Sequence, residues 1–159
     1  TYPGFTQKSC NKKLQANLNM KNRYLFVYGT LRKDAEHEMY DVLASHASFV
    51  GIGTIRGDLY SLGEYPGLIP YQDTVNLVKG ELYEIGTDML EQTLGLLDDY
   101  EGISQEDPLP HEYRRELLPV ILDDDRQLEA WAYVLNRGLE GLSQIRSGDF
   151  IEWRKSREA

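Results

Sequence analysis

Residues 24–32, Tyr-Leu-Phe-Val-Tyr-Gly-Thr-Leu-Arg, confine the fold more tightly than any other part of the chain. A run of aromatic and β-branched side chains stops at a glycine and a hydroxyl residue, and the chain then turns polar. Such a run, bounded by a turn signal, predicts a buried strand. Gly29 has no Cβ, so at the strand exit the backbone can approach another group closely. Successive main-chain N–H groups exposed at such a turn form a concave anion trap suited to a carboxylate or a phosphate. The same residues equally fit an ordinary strand-to-loop exit, and on their own they do not decide between the two.

A chain of 159 residues is long enough for one domain with one continuous core. Its 41% hydrophobic and 27% charged residues are those of a globular protein, and its eleven tyrosines suit strands and a pocket lined with amphipathic rings. The net charge of −9 is unevenly spread. Up to residue 33 the chain carries Lys8, Lys12, Lys13, Lys21, Arg23, Arg32 and Lys33 and no acid, so the remainder is more acidic still. An acidic body repels polynucleotides and anionic membranes, which argues against a nucleic acid or membrane partner. Cys10 is the only cysteine, so no internal disulfide can form, and a reducing cytoplasmic location is expected. No apolar run approaches the ~20 residues of a membrane-spanning helix. Residues 1–19 read as a leader or flexible basic arm, with Met20 resembling a natural start and residues 20–159 as the single folded domain.

Along that domain, Asp34 is placed to cap a helix running to about His46, with Met39, Val42 and Leu43 on its apolar face and His37 and His46 on the surface. Phe49 to Leu62 alternates imperfectly and is rich in glycine, which predicts a long, bent strand of a closed or strongly coiled sheet. Glu64 to Pro70 combines a turn with a short apolar run. Its two prolines suggest an edge or crossing segment, and it is a candidate pocket wall. Val75 to Ile85 alternates as a strand, with Gly80 marking a bulge. Thr87 or Asp88 is placed to cap a helix to Tyr100, with Glu91 completing a capping box and Gly102 ending it. An acidic loop from Ile103 to His111 follows, then a hairpin of Tyr113 to Leu122 and Leu128 to Leu135. Ser147 to Trp153 reads as a capped single turn docking Phe150 or Trp153, before a charged tail.

In the helix before Gly102, Leu90, Leu94 and Leu97 follow the i, i+4, i+7 spacing of a buried stripe, and the next position of that stripe is Glu101. A carboxylate facing the interior at the negative end of a helix dipole is disfavoured as an ion by both desolvation and the dipole. Its pKa rises toward the range useful for a general base near neutrality. The alternative is that the helix stops at Tyr100 and Glu101 turns to water. Asp98 and Asp99 fall off the stripe and are expected to be solvated, while Glu81 and Glu64 are tied to no stripe.

Other chemistries lack their patterns. The histidines, His37, His46 and His111, stand far apart without cysteine partners, so no metal site is expected. Gly51-Ile52-Gly53 lacks the third glycine and the following helix of a dinucleotide site, and no phosphate-binding loop or nucleophile elbow is present. No cofactor is indicated.

Tyr28-Gly29-Thr30-Leu31, Tyr65-Pro66-Gly67-Leu68-Ile69, Gly80-Glu81-Leu82-Tyr83-Glu84-Ile85, Leu97-Asp98-Asp99-Tyr100-Glu101-Gly102 and Tyr113-Arg114-Arg115 together resemble, in order and spacing, the gamma-glutamylcyclotransferase-like family. The likeness is to its small single-domain branch, which includes gamma-glutamylamine cyclotransferases and plant avirulence-induced proteins. It runs over about residues 24–135. The resemblance implies an α+β fold, a mixed sheet closed into a small β-barrel with flanking helices. It implies that Tyr28, Gly29, Thr30 and Leu31 hold the α-carboxylate end of a small-molecule γ-glutamyl substrate, with Glu101 as proton acceptor and Tyr113 near the pocket; Tyr65, in the candidate pocket wall of residues 64–70, joins them as a binding residue. The implied reaction is attack of the substrate's own α-amine on its γ-carbonyl, which closes 5-oxoproline and expels an amine.

One departure from the family pattern is the long, acidic segment between Glu101 and Tyr113. If Glu106, Asp107 and Glu112 face the pocket mouth, a cationic leaving amine is favoured; a solvated loop is the alternative. Since fold alone does not fix function, the competing reading is a non-catalytic binding module for an amino-acid-like ligand or a protein partner.

Overall fold

The computed structural model describes residues 22–157, and the expectations for residues 1–19, Cys10 and Met20 lie outside them. Among the described residues seven strands are formed: β1 (Tyr24–Val27), β2 (Ala47–Ser61), β3 (Pro66–Pro70), β4 (Leu77–Ile85), β5 (Tyr113–Leu122), β6 (Gln127–Leu135) and β7 (Ser143–Gln144). Three α-helices, α1 (Glu38–His46), α2 (Leu90–Tyr100) and α3 (Phe150–Arg157), flank them. Hydrogen bonding runs β1-β4-β2-β3-β6, and a parallel pairing of Leu25 with Trp131 joins β6 back to β1, closing the sheet on itself. β5 pairs with β6 along its length and touches β2 at Gly53 and Thr54. The sheet is mixed, because β6 lies parallel to both β1 and β3 and antiparallel to β5. Among the described residues, no helix is long and apolar enough to cross a membrane.

Closure explains why β1 is apolar at every position: it is buried on both faces, as a strand packed on two sides must be. Phe26 and Tyr28 point into the barrel with Ile55, Leu59, Leu82, Val134 and Phe150. Leu25 and Val27 point outward into a second core under the helices, with Leu43, Leu90, Leu94, Leu97 and Tyr133. On β6 the barrel side carries the small residues Ala130 and Ala132, and the helix side carries Trp131 and Tyr133.

Several local expectations give way to tertiary context. The first helix begins at Glu38, with His37 rather than Asp34 as its cap; the His37 side chain accepts the Met39 N–H at 3.1 Å. His37 and His46 are half-buried rather than on the surface, and His46 Nδ1 lies 3.1 Å from Thr93 Oγ1. β3 is not an edge, since β2 and β6 pair with it on either side and its prolines stand at its first and last positions. Val75 is exposed in a loop, and its strand starts at Leu77.

The bulge falls on β2 between Phe49 and Gly51, not at Gly80, which pairs in register with Gly53. Gly80 is glycine for space: a Cβ there would collide with the Val27 carbonyl oxygen and the Phe26 ring. No capping box forms before α2, because Thr87–Met89 make a 3-10 turn and Met89 occupies the cap position without a side-chain bond. The C-terminal turn continues as a helix through Arg157.

Candidate active site

Where β1 runs out, the chain turns over Gly29, with Arg32 N–H donating to the Gly29 carbonyl at 3.0 Å. A Cβ on Gly29 would stand 2.7 Å from Pro66 Cγ, so glycine is what lets this turn lie against the start of β3. The N–H groups of Arg32 and Lys33 are used within the fold, the latter by Glu81 Oε1 at 3.0 Å. Those of Gly29, Thr30 and Leu31 donate to no protein acceptor among the described residues. Three consecutive free N–H groups at a turn are the makings of an anion cradle.

This turn forms one wall of a cleft of about 760 Å³. Tyr28, Gly29, Thr30, Leu31, Tyr65, Tyr113 and Glu101 all line it, so the structure brings these seven residues to one place. Their side chains are not equally available. Tyr28 Oη donates to the Tyr133 carbonyl at 2.5 Å and accepts the Leu68 N–H at 3.1 Å, and Tyr113 Oη donates to the Pro66 carbonyl at 2.6 Å. Both phenols are buried braces for β3, and burial raises the pKa of each. The Leu31 side chain belongs to the core, leaving its main chain to the cleft. Tyr65 is exposed at the rim, where its hydroxyl donates to Glu112 Oε2 at 3.3 Å.

Glu101 is the C-cap residue of α2. Gly102, at φ 72°, donates to the Asp99 carbonyl at 3.2 Å, and Ile103 donates to the Asp98 carbonyl at 3.0 Å. This paired pattern is the Schellman termination, which needs a left-handed residue immediately after the cap. It ends the helix at Tyr100, with Glu101 as its cap, and leaves the Glu101 side chain continuing the leucine stripe toward the cleft. Desolvation is the main cause that pushes the Glu101 carboxyl up to about 7, and the nearby charges of Asp98 and Glu112 add to it. The carbonyl end of α2 acts in the same direction.

Asp98 is not solvated: it pairs with Arg115 at 3.0 Å and accepts the Tyr133 hydroxyl at 2.7 Å. Asp99 is exposed. Glu81 is 7% exposed, which the sequence did not suggest, and it accepts from Lys33 N–H, Tyr83 Oη at 2.8 Å and Arg32 Nε at 3.5 Å. Arg32 also reaches Asp149 Oδ1 at 2.8 Å. Of the acids between Glu101 and Tyr113, only Glu112 lines the cleft; Glu106 is exposed and Asp107 binds Ser104 within its own turn.

Several cleft residues escaped the sequence. His37 Nδ1 accepts the Met39 N–H, so the proton of the neutral ring sits on Nε2, which faces Tyr100 Oη at 3.3 Å. Tyr100 in turn has its proton for Thr30 Oγ1, 2.9 Å away, leaving the Thr30 hydroxyl to donate into the cleft. No sequence signal marks His37, which is an uncommon cap residue. Trp153, Arg154 and Arg157 of α3 complete the wall. Their signal was present, since Phe150, Trp153, Arg154 and Arg157 follow i, i+3, i+4, i+7. Among the described residues, no cluster of three or more His, Cys, Asp or Glu is arranged to hold a metal ion.

Residues 25–155 match the family model described as "Gamma-glutamyl cyclotransferase, AIG2-like". The chain is 33% identical over 129 residues to the gamma-glutamylcyclotransferase family protein YtfP of Escherichia coli K12, covering 80% of this chain and 96% of that one. The solution structure of E. coli ytfP superposes with a TM-score of 0.56 at 32% identity, covering 82% of this chain and 98% of the other. An AIG2-like protein of Mus musculus superposes with a TM-score of 0.56 at 28% identity, over 71% of this chain and 76% of that one.

Proposed function

The chain belongs to the gamma-glutamyl cyclotransferase, AIG2-like family, and on that footing we propose that it converts a γ-glutamyl amine or peptide into 5-oxoproline and a free amine. The observation that carries the reading is the placement of Glu101, a desolvated carboxyl pushed up to about 7, in the same cleft as the free N–H groups of Gly29, Thr30 and Leu31. A carboxyl with that pKa is part ionised at neutral pH and can both accept and return a proton.

The turn N–H groups and the Thr30 hydroxyl hold the substrate's α-carboxylate. Glu101 removes a proton from the adjacent α-ammonium, and the freed nitrogen lone pair attacks the γ-carbonyl carbon. The new C–N bond closes a five-membered ring through a tetrahedral oxyanion. As that intermediate collapses, the bond to the leaving nitrogen breaks, Glu101 returns its proton there, and the ring nitrogen gives up its second proton, so that the products are 5-oxoproline and the amine as its ammonium. Holding the glutamyl chain folded, with amine and carbonyl at contact, lowers the barrier by orientation alone. No redox change or added water is needed. The lone Cys10 and acidic body fit a cytoplasmic setting.

The test is incubation of the protein with a panel of γ-glutamyl amines, amino acids and peptides, with 5-oxoproline detected directly. Release of 5-oxoproline that disappears in Glu101→Gln supports the reading. Binding of these compounds without any turnover would instead make the domain a ligand-binding module.

A further inference from the structure

Two carboxylates meet at the end of α2. Asp98 stands three residues before Glu101, and Glu101 keeps helical dihedrals (φ −81°, ψ −2°), so the two share one edge of the last turn with Cβ atoms about 5–6 Å apart. That turn carries no basic residue to offset them. Like charges so placed, at the carbonyl end of a helix, each oppose ionisation of the other. The compensating cation has to come from another element.

It comes from β5. Arg115 pairs in register with Tyr133 of β6, which brings a guanidinium and a phenol to Asp98 side by side. Arg115 Nη2 donates to Asp98 Oδ2 at 3.2 Å, and the Tyr133 hydroxyl donates to Oδ1 at 2.7 Å. Arg115 Nε lies 3.0 Å from Oδ1 but is buried out of line for a hydrogen bond. The guanidinium is oriented as well by the Trp131 ring, 4.6 Å from its centroid, and Trp131 Nε1 is itself tied to the Asn22 carbonyl at 3.2 Å. Asp98 thus presents a fixed negative charge one turn from Glu101, and Arg115 sets a fixed positive charge on Asp98.

Other titratable or charged side chains around the cleft are Glu64, Glu112, His37, Arg154 and Arg157. Glu112 is paired with Arg137 at 3.6 Å, but these two side chains are 37% and 44% exposed, against 22% and 24% for Asp98 and Arg115, so solvent and salt screen them more. The phenols of Tyr28, Tyr65, Tyr100, Tyr113 and Tyr133 are held neutral by burial first and by the Glu101 charge in addition. Desolvation is the main cause of the raised Glu101 pKa, and Asp98 is the larger of the two charges that add to it, ahead of Glu112.

We propose that Asp98 and Arg115 are positioning residues that act on Glu101 through charge: Asp98 favours the protonated carboxyl, Arg115 limits that effect, and the balance of the two sets the pH at which Glu101 becomes a base. The inference rests on the reading of Glu101 as proton acceptor, since a base works best when it ionises near the working pH.

The experiment follows ionisation of Glu101 in wild type, Asp98→Asn, Arg115→Gln and Arg115→Lys. It is read from the pH dependence of kcat/KM and, with no substrate present, from carbon NMR titration of the carboxyl signal that is missing in Glu101→Gln. Asp98→Asn removes the near negative charge and uncovers Arg115, so the midpoint is expected to fall. Arg115→Gln uncovers Asp98, so the midpoint is expected to rise. Each displacement should be about half a pH unit or more, the Coulomb energy of two unit charges ~6 Å apart even at the dielectric of water. Arg115→Lys keeps the charge and loses the planar fork, so its midpoint is expected to stay near that of wild type even where Tm falls. Displacements of opposite sign support the proposal. A clamp that is only structural predicts otherwise: loosening α2 admits water to Glu101 and lowers the midpoint in all three variants. That result, or no displacement in any variant, overturns the proposal. Should Asp98→Asn fail to fold, the Arg115 variants decide, because a rise in Arg115→Gln that is absent from Arg115→Lys supports it and an equal change in both overturns it. If no compound is turned over, the cyclisation reading has failed, and the carboxyl titration still decides the pair.

Discussion

The phenol oxygen of Tyr100 lies 2.9 Å from the hydroxyl of Thr30, tying the last residue of α2 to the turn that ends β1. The residue next to Tyr100 is Glu101, so one short contact sets the spacing between the candidate base and the candidate carboxylate cradle. The polarity of the contact is set from a third element, because the His37 Nδ1 that caps α1 forces the ring proton onto Nε2, toward Tyr100.

Tyr100→Phe removes the acceptor of the His37 proton and the donor to Thr30, freeing the Thr30 hydroxyl to turn away from the cleft. The expected result is a several-fold rise in KM with a smaller change in kcat, about 1 kcal/mol of binding. His37→Asn keeps an oxygen to cap Met39 N–H but cannot reach Tyr100, so it should raise KM likewise while leaving Tm nearly unchanged. Steady-state kinetics on both variants check this, and an unchanged KM in both would contradict it.

Glu101→Gln should lower kcat by ~10²-fold or more with little change in substrate Kd, because the amide fills the same space and cannot take a proton. Single-turnover assays with calorimetry separate the two effects. Loss of binding along with rate would mean that Glu101 positions the ligand.

The pH dependence has a determined sign. With the Glu101 carboxyl pushed up to about 7, kcat/KM should rise with pH as the base ionises, with a midpoint near that value. Stability runs the other way: between the ordinary carboxylate range and about 7 the folded state holds a proton that the unfolded state has lost. Folding stability therefore falls as pH rises through that window and stays lowered above it. Glu101→Gln carries no such penalty, so its Tm should exceed that of wild type at pH 8, by roughly 2–4 °C for each kcal/mol relieved. The difference should shrink at pH 5. Thermal melts at both pH values decide the matter, and equal differences would contradict the assignment.

Arg32→Met should destabilise the fold by about 3 kcal/mol or more, since it strands Glu81 and Asp149, 7% and 9% exposed, without their shared cation. It also loosens the attachment of α3 to the turn at residues 29–31. Urea unfolding measures the first effect, and a raised KM accompanies it. A variant as stable as wild type would show that Tyr83, Lys79 and main-chain donors suffice for the two acids.

What the sequence determined by itself is the local and periodic part. The apolar run of residues 24–28 states that β1 is buried on both faces. The leucines at 90, 94 and 97 state which side of α2 meets the core and make Glu101 the next position of that stripe, and Gly102 states where the helix stops. These follow from backbone geometry, since periodicity and left-handed caps are properties of a few neighbouring residues. Tertiary structure alone decided the pairings between distant residues. Glu81 alternates with Leu82 on its strand and is tied to no apolar stripe, so nothing local marks it as buried. It is buried because Arg32, 49 positions away, meets it, and that same arginine reaches Asp149 across 117 positions. Asp98 sits off the helix stripe and yet is sequestered, because the closed sheet brings Arg115 and Tyr133 beneath α2. The closure of β6 onto β1, the His37–Tyr100–Thr30 contacts and the arrival of Arg154 and Arg157 at the cleft are of the same kind. A buried charge or polar side chain is tolerated only where partners from elsewhere in the chain satisfy it, and no local pattern encodes who those partners are.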